Sequence, residues 1–378
     1  MLNRIKGILY ELISLLAQWG GRKQAIPTVL IIRTDEIGDF MLWQPFLKEI
    51  MNAYAQQNYA IHFLGNNSWK SIFELQEHPS IEQTIWMDKV AFKKSLLYRY
   101  RLLKQIYAAS YEIVINPIYS RDKRNDDAIV KVTKSPFRIG MVANQESVKP
   151  YEVGYDKGLY TTLFNHPQKP IFEFYRNKLF TAFITKQESN IANTVIEKSM
   201  LPNIHFSIPE NYFIVFPGSR SAKRIWPTPF FIEVSNYLYE KYQLTAVLCG
   251  ASGDLPYTNA FEKNYTHPMV NLAGKTSLPQ MLSLLSKATC LLSVDTGSVH
   301  LAAAVECTVF GVFNGSQYKR FAPYPIEINN RFFAAYPDHI ENELANEKLV
   351  KQKYEFITDI PYELIEPQKI INLIQAHL

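Results

Sequence analysis

The chain has 378 residues, more than one hydrophobic core ordinarily serves, so the length predicts two domains. Hydrophobic residues make up 47% of the chain and charged residues 20%, which excludes a disordered protein. The net charge of +5 comes from 40 Lys and Arg against 35 Asp and Glu. This small surplus suits an anionic ligand or an acidic membrane surface, and it excludes a dedicated nucleic-acid binder.

Residues 1–26 form an amphipathic N-terminal segment with no cleavage site of a signal peptide. Its apolar residues make a broad helical stripe of Ile5, Ile8, Leu9, Leu12, Ile13, Leu15 and Leu16. Basic residues flank it at Arg4, Lys6, Arg22 and Lys23, and Trp19 lies near its end. The segment is too short to span a bilayer. Two interpretations remain open: an interfacial helix on an anionic membrane face, or a helix packed on its own domain.

From residue 27 to 205, short β-rich runs alternate with helical runs, which predicts a parallel α/β sheet. The strands are "TVLIIR", "AIHFLGN", "YEIVINP" and "FRIGM", with "FMLWQPFLKEIMNAYAQQ" as a helix after the first. A largely helical, polar region is expected from Ile171 to Met200. The proline-marked run "LPNIHFSIPENY" then connects the two domains.

The alternation restarts over residues 206–355 with "FIVFPGS", a helix from Pro229, "LTAVLCG", "MVNLAG", "TCLLSVD" and "TVFGVFNGS". The pattern predicts two doubly wound domains with a cleft between them. Residues 318–362 show little pattern. Residues 356–378 carry a C-terminal helix, for which packing back on the N-terminal domain is one arrangement. The three cysteines, Cys249, Cys290 and Cys307, are expected to be reduced core residues.

Ligands of doubly wound sheets bind where strands give way to helices, so the loops after the strands carry the candidate site. The first of these loops, "DEIGD", ends at Asp39. Asp39 is expected at the start of a helix, either as a helix cap or as a general base that takes a proton from a hydroxyl. Asp35 and Glu36 are expected to be solvated acids or local turn acids.

The loop "FPGSRSAKRIWP" follows the first strand of the second domain. Arg220, Lys223 and Arg224 beside a glycine and a serine suit a phosphate-bearing ligand. The alternative is a solvated basic turn that Trp226 anchors in the core.

Two further loops carry polar residues. In "CGASGDLPY", Asp254 could accept hydrogen bonds from a ribose, or cap the next helix. In "LLSVDTGSVHLAAA", an apolar strand delivers Asp295, Thr296 and Gly297 to a helix start, which predicts an anion site. His300 follows in the first turn and is expected to contact the ligand, with a buried core histidine as the alternative.

Several motifs of other enzymes are missing. "AGKTS" resembles the end of a phosphate-binding loop, but GxxxxGK is not completed, and there is no GxGxxG. No DxD pair suggests a metal-bridged diphosphate, and no cysteine or histidine spacing predicts a metal site. We therefore expect no metal and no cofactor.

The chain resembles glycosyltransferase family nine, the ADP-heptose:lipopolysaccharide heptosyltransferases and their relatives. The resemblance rests on "IIRTDEIGDFMLWQP", "FRIGM", "PGSRSAKRIWP", "NLAGKTSLPQMLSLLSKATCLLSVDTGSVHLAAA" and "TVFGVFNGS". It implies a GT-B fold, in which two Rossmann-like domains face each other across a cleft, and an inverting reaction without a metal.

Residue by residue, the resemblance implies that Asp39 is the catalytic base. It implies nucleotide-sugar contacts at Ser219, Arg220, Asp254, Thr276, Asp295, Thr296, Gly297 and His300. The lysine of the family's K-x-W-P pattern falls on Arg224, with Lys223 one residue earlier. A second departure is Asn116-Pro117, where the family usually has an acid after the strand.

The resemblance further implies transfer of heptose from ADP-heptose to a lipid-linked oligosaccharide of lipopolysaccharide. It implies a cytoplasmic protein, with peripheral contact to the inner membrane possible and no nucleic acid as partner. Two alternatives remain open: another nucleotide-activated sugar, such as a hexose or N-acetylhexosamine, or a catalytically silent nucleotide-binding assembly protein. The presence of both Asp39 and the DTG loop argues against the silent protein.

Overall fold

The computed structural model describes residues 2–20, 27–144, 153–167 and 170–378. Arg22 and Lys23, two of the predicted flanking cations, lie outside these residues. The chain divides into two compact units. The first unit is Met1–Pro167 with Phe174–Ile191, and the second is Gln168–Glu173 with Ala192–Leu378.

The first unit contains a sheet of six parallel strands in the order β3-β2-β1-β4-β5-β6. The strands are β1 Thr28–Arg33, β2 Ala60–Asn66, β3 Ile81–Met87, β4 Ile113–Asn116, β5 Phe137–Met141 and β6 Thr162–Phe164. The helices are α1 Leu2–Ala17, α2 Ile37–Trp43, α3 Leu47–Ala55, α4 Lys70–Phe73, α5 Lys89–Lys94, α6 Leu96–Ala109, α7 Asp126–Thr133 and α8 Glu173–Thr185. All six residues of β1 are buried, as expected for a central strand that helices cover on both faces.

Most predicted elements of this unit are confirmed, and two strands were missed. β3 shows no alternation, since three successive residues, Glu82 to Thr84, are exposed, and β6 has only three residues. The predicted helix after β1 is interrupted by a 3-10 turn, Gln44–Phe46, because Pro45 has no N–H for the helical ladder.

The expected helical region from Ile171 to Met200 is confirmed only in its first half, as the helix Glu173–Thr185. Its α-helix ends at Thr185, and residues 186–197 run without helix or strand. Polar side chains there bind the backbone locally: Ser189 accepts from the Ile191 N–H, and Asn193 accepts from the Val195 N–H. Such bonds compete with the helical ladder.

The second unit repeats the topology, with six parallel strands in the order β12-β11-β10-β7-β8-β9. The strands are β7 Tyr212–Phe216, β8 Thr245–Leu248, β9 Met269–Asn271, β10 Cys290–Val294, β11 Thr308–Val312 and β12 Phe332–Ala335. The helices are α9 Thr228–Tyr242, α10 Leu255–Asn264, α11 Leu278–Leu285, α12 Gly297–Ala304, α13 Asp338–Leu344, α14 Glu347–Lys353 and α15 Pro367–His377. β12 lies in the stretch that had shown little pattern.

The C-terminal helix α15 belongs to the second unit. Ile370, Ile371 and Ile374 are buried in the same cluster as Phe213 and Phe310 of the second sheet. The buried face of α15 therefore forms part of the core of its own unit. All three cysteines are buried and free, as predicted.

Each sheet reverses its strand order once, between β1 and β4 in the first unit and between β7 and β10 in the second. At such switch points the loops on either side diverge and leave room for a ligand at the carboxyl ends of the strands. The loops that carry Asp39, Arg224 and Asp295 follow β1, β7 and β10 respectively.

Candidate active site

Asp39 lies in the first turn of α2, directly after the central strand β1. The N-cap of this helix is Glu36, and it makes no side-chain capping bond. The alternative in which Asp39 caps the helix is therefore wrong, since Asp39 is the third helical residue. Asp39 therefore lies in the first helical turn at the switch point of the first sheet.

Arg33, the last residue of β1, fixes the backbone around Asp39. It is fully buried, and its guanidinium donates to the Asp39 carbonyl at 2.8 Å and to the Pro117 carbonyl at 3.2 Å. Its Nε lies 2.9 Å from Oδ1 of Asp35. One planar cation thus ties the β1 loop to the β4 loop. Asp35 is a partner of this buried cation and not the solvated turn acid that we expected.

Charged groups cluster in the same region of the first unit. Lys89 pairs with Glu36 at 2.8 Å. Burial opposes the charged form of Lys89, but the carboxylates of Glu36, Asp35 and Asp126 outweigh it and raise the Lys89 pKa.

Asp126 is a functional candidate that the sequence analysis missed. Asn116 at the end of β4 donates to Asp126 at 3.2 Å, which places a carboxyl beside the end of this strand. Burial, followed by the carboxylates of Asp127 and Asp122, raises the pKa of Asp126 well above its usual value. The sequence feature that could have indicated Asp126 is the pair of acids in "NDDAIV", in the first turn of α7.

In the second unit, the loop after β7 rests on Asp254. A Cβ at Gly218 would lie 2.2 Å from Oδ1 of Asp254, so only glycine fits there. Asp254 accepts from the Ala251 N–H at 2.8 Å and thereby caps the short 3-10 turn Ser252–Asp254. Burial raises the pKa of this carboxyl, and the Ala251 bond opposes the rise. Asp254 is also the N-cap residue of α10, but its side chain makes no capping bond to that helix. The capping alternative is thus confirmed only for the 3-10 turn, and the contact with a ribose stays a prediction.

The three cations of this loop differ in what they contact. Arg224 lies beside β10, with Nη1 3.2 Å from Oδ2 of Asp295 and 3.4 Å from the Asp295 carbonyl oxygen. Lys223 forms an exposed pair with Asp359 at 2.6 Å. Arg220 is exposed. Of the two candidates for the family's lysine, Arg224 is therefore the one next to the DTG loop.

Two neighbours shape this loop further. Ser219 Oγ accepts from the Ser221 N–H at 3.3 Å, which folds the turn that precedes Lys223 and Arg224. Trp226 is fully buried and donates to the Ile365 carbonyl at 2.7 Å. The expected tryptophan anchor is present, and it holds Arg224 two residues away at its place beside Asp295.

Asp295, Thr296 and Gly297 begin α12, with Thr296 as its N-cap. Thr296 Oγ1 accepts from the Ser298 N–H at 3.3 Å. Burial raises the pKa of Asp295, and Arg224 opposes that rise. The helix start adds partial positive charge to the Arg224 cation, which is the electrostatic setting for an anion.

His300 is 4% exposed, and its Nδ1 lies 2.9 Å from the Tyr324 hydroxyl. Burial lowers its pKa to about 3, so the ring is neutral at physiological pH. These surroundings are those of the core-histidine alternative, and a direct ligand contact stays a prediction.

Thr276 is half-buried in the turn between β9 and α11. The same turn contains Gly274, which has φ +71° and donates to the Gly250 carbonyl at 2.8 Å. This bond brings the β9 loop next to the β8 loop that carries Asp254. The predicted donor residues therefore lie on loops that follow neighbouring strands of the second sheet. Lys223 instead pairs with Asp359 at the surface.

Within the described residues, no group of three or more histidine, cysteine, aspartate or glutamate side chains could hold a metal ion. None of the helices in those residues is long and apolar enough to cross a membrane.

Two doubly wound sheets with charged loops at their switch points define a GT-B glycosyltransferase architecture. The structure of E. coli heptosyltransferase WaaC with ADP matches this fold with a TM-score of 0.64 and 16% identity. That match covers 93% of this chain and 100% of the other.

The family follows from the sequence match. The chain belongs to glycosyltransferase family 9 (heptosyltransferase), whose model matches residues 99–348. Lipopolysaccharide heptosyltransferase 3 of Escherichia coli (strain K12) is 25% identical over 146 residues, 38% of this chain and 42% of that protein. The lipopolysaccharide core heptosyltransferase OpsX of Haemophilus influenzae is 28% identical over 113 residues, 29% of this chain and 32% of that protein. The chain thus spans less than half the length of these relatives.

Proposed function

We propose that this glycosyltransferase moves a heptose from ADP-heptose to the core oligosaccharide of a lipopolysaccharide acceptor, with inversion and without a metal. The proposal is supported by family membership and by the printed functions of the relatives, which are lipopolysaccharide heptosyltransferases. The observation that carries it is the Arg224–Asp295 contact at the start of α12. It provides a fixed cation and a helix N-terminus where a nucleotide diphosphate needs both.

On the acceptor side, Asp39 takes the proton of the attacking hydroxyl. A carboxylate does this when it lies within hydrogen-bond reach and its backbone is held in place. The two bonds from Arg33, to the carbonyls of Asp39 and Pro117, supply that rigidity. The hydroxyl oxygen then displaces the diphosphate from the anomeric carbon in a single step, which inverts that centre.

On the donor side, Arg224 and the α12 start stabilise the negative charge that grows on the leaving diphosphate. A guanidinium has five N–H donors, so Arg224 can keep its Nη1 contact with Asp295 and still bind phosphate oxygens. One preorganised donor of this kind contributes about 3–4 kcal/mol to the transition state. Ser219, Arg220, Asp254, Thr276, Thr296, Gly297 and His300 complete the proposed donor pocket.

The test combines a transfer assay with calorimetry. We expect Asp39→Asn to abolish transfer from ADP-heptose to truncated lipopolysaccharide while ADP binds as in the wild type, because the base does not contact the nucleotide. Glu36→Gln is the matched control: it removes one carboxylate from the same loop and should keep transfer. An active Asp39→Asn enzyme would refute the assignment of the base.

The nucleotide is tested separately by thermal shift with ADP, UDP, GDP and CMP. Selective stabilisation by ADP is expected, since a ligand that binds the folded state raises the melting temperature, and at equal concentration the tighter ligand raises it more. Stabilisation by UDP alone would favour a hexose or N-acetylhexosamine donor. Binding of ADP without transfer to any lipopolysaccharide acceptor would favour the silent assembly protein.

A further inference from the structure

The amphipathic helix α1 packs with its polar and small face inward. Tyr10, Ser14 and Ala17 are buried, and the Tyr10 hydroxyl donates to the Lys93 carbonyl. Arg99 lies over the Tyr10 ring at 4.1 Å, and Lys131 pairs with Glu11 at 2.6 Å. These contacts fasten the helix to the first unit in one orientation.

The apolar stripe of α1 faces solvent as a result. The large apolar residues of this outward stripe are between 41% and 80% exposed: Ile5, Ile8, Leu9, Leu12, Leu15, Leu16 and Trp19. They recur at helical spacing, so they form one continuous face. An exposed apolar face of this kind marks an interaction surface, because a soluble protein rarely leaves so much apolar area in water.

A basic pocket of about 840 Å³ adjoins this stripe, and Ile8, Leu12 and Leu15 of the stripe are among its lining residues. Its described lining contains seven cationic side chains against two carboxylates. Besides Arg99, the cations are Lys123, Arg124, Lys131, Lys134, Arg138 and Lys157.

Both carboxylates of the pocket already have partners. Glu11 pairs with Lys131, and Asp127 accepts two bonds from Arg121 at 3.0 Å. On the other flank of the stripe, a cavity of about 420 Å³ brings Lys104 next to Leu16 and Trp19. Positive charge therefore borders the apolar face on both sides.

We propose that α1 and this pocket form a docking surface for an anionic phospholipid bilayer. The stripe enters the interfacial region of the bilayer, and the pocket takes the phosphate of a lipid headgroup. Apolar area and attraction to anionic lipids together set the strength of such binding. The charge complementarity favours this occupant over a second copy of the same basic, apolar face, because two such faces repel each other. The inference goes beyond the proposed function, and its test needs no catalysis.

The experiment is flotation of the full chain with vesicles of phosphatidylcholine or of an equal mixture with phosphatidylglycerol. We expect binding to the anionic vesicles only, and weaker binding as salt rises. Leu15→Glu should lower the bound fraction about tenfold or more, because it places a charge within the inserted face. Ile326→Glu is the matched control, since Ile326 is an exposed apolar residue of the second unit.

The pocket is tested by Lys134→Glu combined with Lys157→Glu. The control, Lys287→Glu with Lys348→Glu, changes the net charge equally at exposed lysines of the second unit. The pocket variant should lose anionic-vesicle binding, and the control should keep it. All variants should still transfer sugar to a soluble, delipidated acceptor, which separates failure of this inference from failure of the proposed function.

Three outcomes would overturn the docking surface. Equal binding to both vesicle types removes the role of the anionic headgroup. Binding of inorganic phosphate by the pocket, with no vesicle binding, shows a soluble-anion site instead. A dimer in sedimentation velocity that Leu15→Glu dissociates, with no vesicle binding, shows that a second copy covers the stripe.

Discussion

The pair between Arg224 and Asp295 provides a quantitative test of the donor site. Asp295 is 13% exposed and Arg224 is 23% exposed, with 3.2 Å between their charged atoms. At that distance, an effective dielectric constant of about 20 gives an attraction of about 5 kcal/mol. Removing one partner of a buried pair typically costs about 3–5 kcal/mol, because the other charge stays behind unpaired.

We expect Arg224→Ala to lower the free energy of unfolding of the second unit by about 2–3 kcal/mol, since water reaches part of the pair. For a unit of this size, that is a fall in melting temperature of about 4–12 °C. Lys223→Ala is the matched control. Its pair with Asp359 is more than two-thirds exposed on both sides, and such pairs contribute about 0–1 kcal/mol.

The loss of stability in Arg224→Ala should increase as the pH rises. Burial raises the pKa of Asp295, and Arg224 counteracts this. A carboxyl with a raised pKa in the folded state contributes stability below its unfolded pKa of about 3.9, and that stability is lost as pH rises through the folded pKa. Without Arg224 the folded pKa rises further. The loss in free energy of unfolding caused by Arg224→Ala should therefore be small near pH 4 and reach its full size at neutral pH.

Calorimetry with ADP completes this test. A hydrogen bond to a charged group contributes about 1.5–3 kcal/mol, so Arg224→Ala should weaken ADP binding roughly tenfold to a hundredfold. Lys223→Ala should leave the affinity close to wild type. Equal losses of ADP affinity for the two variants would refute the assignment of Arg224 to the diphosphate. Wild-type stability of Arg224→Ala at neutral pH would refute the stabilising role of the pair with Asp295.

Two further predictions concern residues that hold the candidate site in place. Arg33→Lys removes the planar guanidinium that binds the Asp39 and Pro117 carbonyls. We expect kcat to fall about tenfold while KM for the donor stays unchanged. A fall in donor affinity with unchanged kcat would contradict this positioning role. Gly218→Ala brings a Cβ against Asp254 and should cost about 1–3 kcal/mol of stability in urea unfolding. Asp254→Gly combined with Gly218→Ala should cost less than the sum of the two single changes, because glycine also removes the Asp254 Cβ that would lie 2.5 Å from the new Cβ. Additivity would contradict the clash.

The buried strands could be predicted from the sequence because a run of mostly apolar residues directly indicates burial on both faces of a sheet. β1 and β10 are mostly apolar, and every residue of both strands is buried. β3, β6 and β12 were missed because edge strands are short or expose polar residues, as Glu82 to Thr84 do. Local patterns do not contain the neighbouring strand that stabilises such a segment.

The sequence predicted which loops carry the candidate site residues, but not which side chains contact one another. Strand–loop–helix order gives the position of Asp39 after β1 and of Asp295 after β10, because the carboxyl ends of parallel strands share one edge. The partner of Arg33 and the burial of Asp126 depend on which loops meet, and β4 lies 80 residues from β1. The sequence also left open which face of α1 is buried, since an amphipathic helix normally hides its apolar stripe.

The contact of Arg224 also explains why an arginine can stand where the family pattern has lysine. A lysine offers a compact charge on a flexible stem, so a contact with Asp295 does not fix the direction of its remaining N–H groups. Arg224 uses one nitrogen, Nη1, for both the carboxylate and the carbonyl of Asp295. The planar fork keeps its other N–H groups at a fixed angle to that contact. The substitution therefore makes Asp295 the residue that orients the cation. Arg224→Lys keeps the positive charge, so it should bind ADP more tightly than Arg224→Ala but less tightly than the wild type. Wild-type ADP affinity of Arg224→Lys would show that this position supplies only its charge.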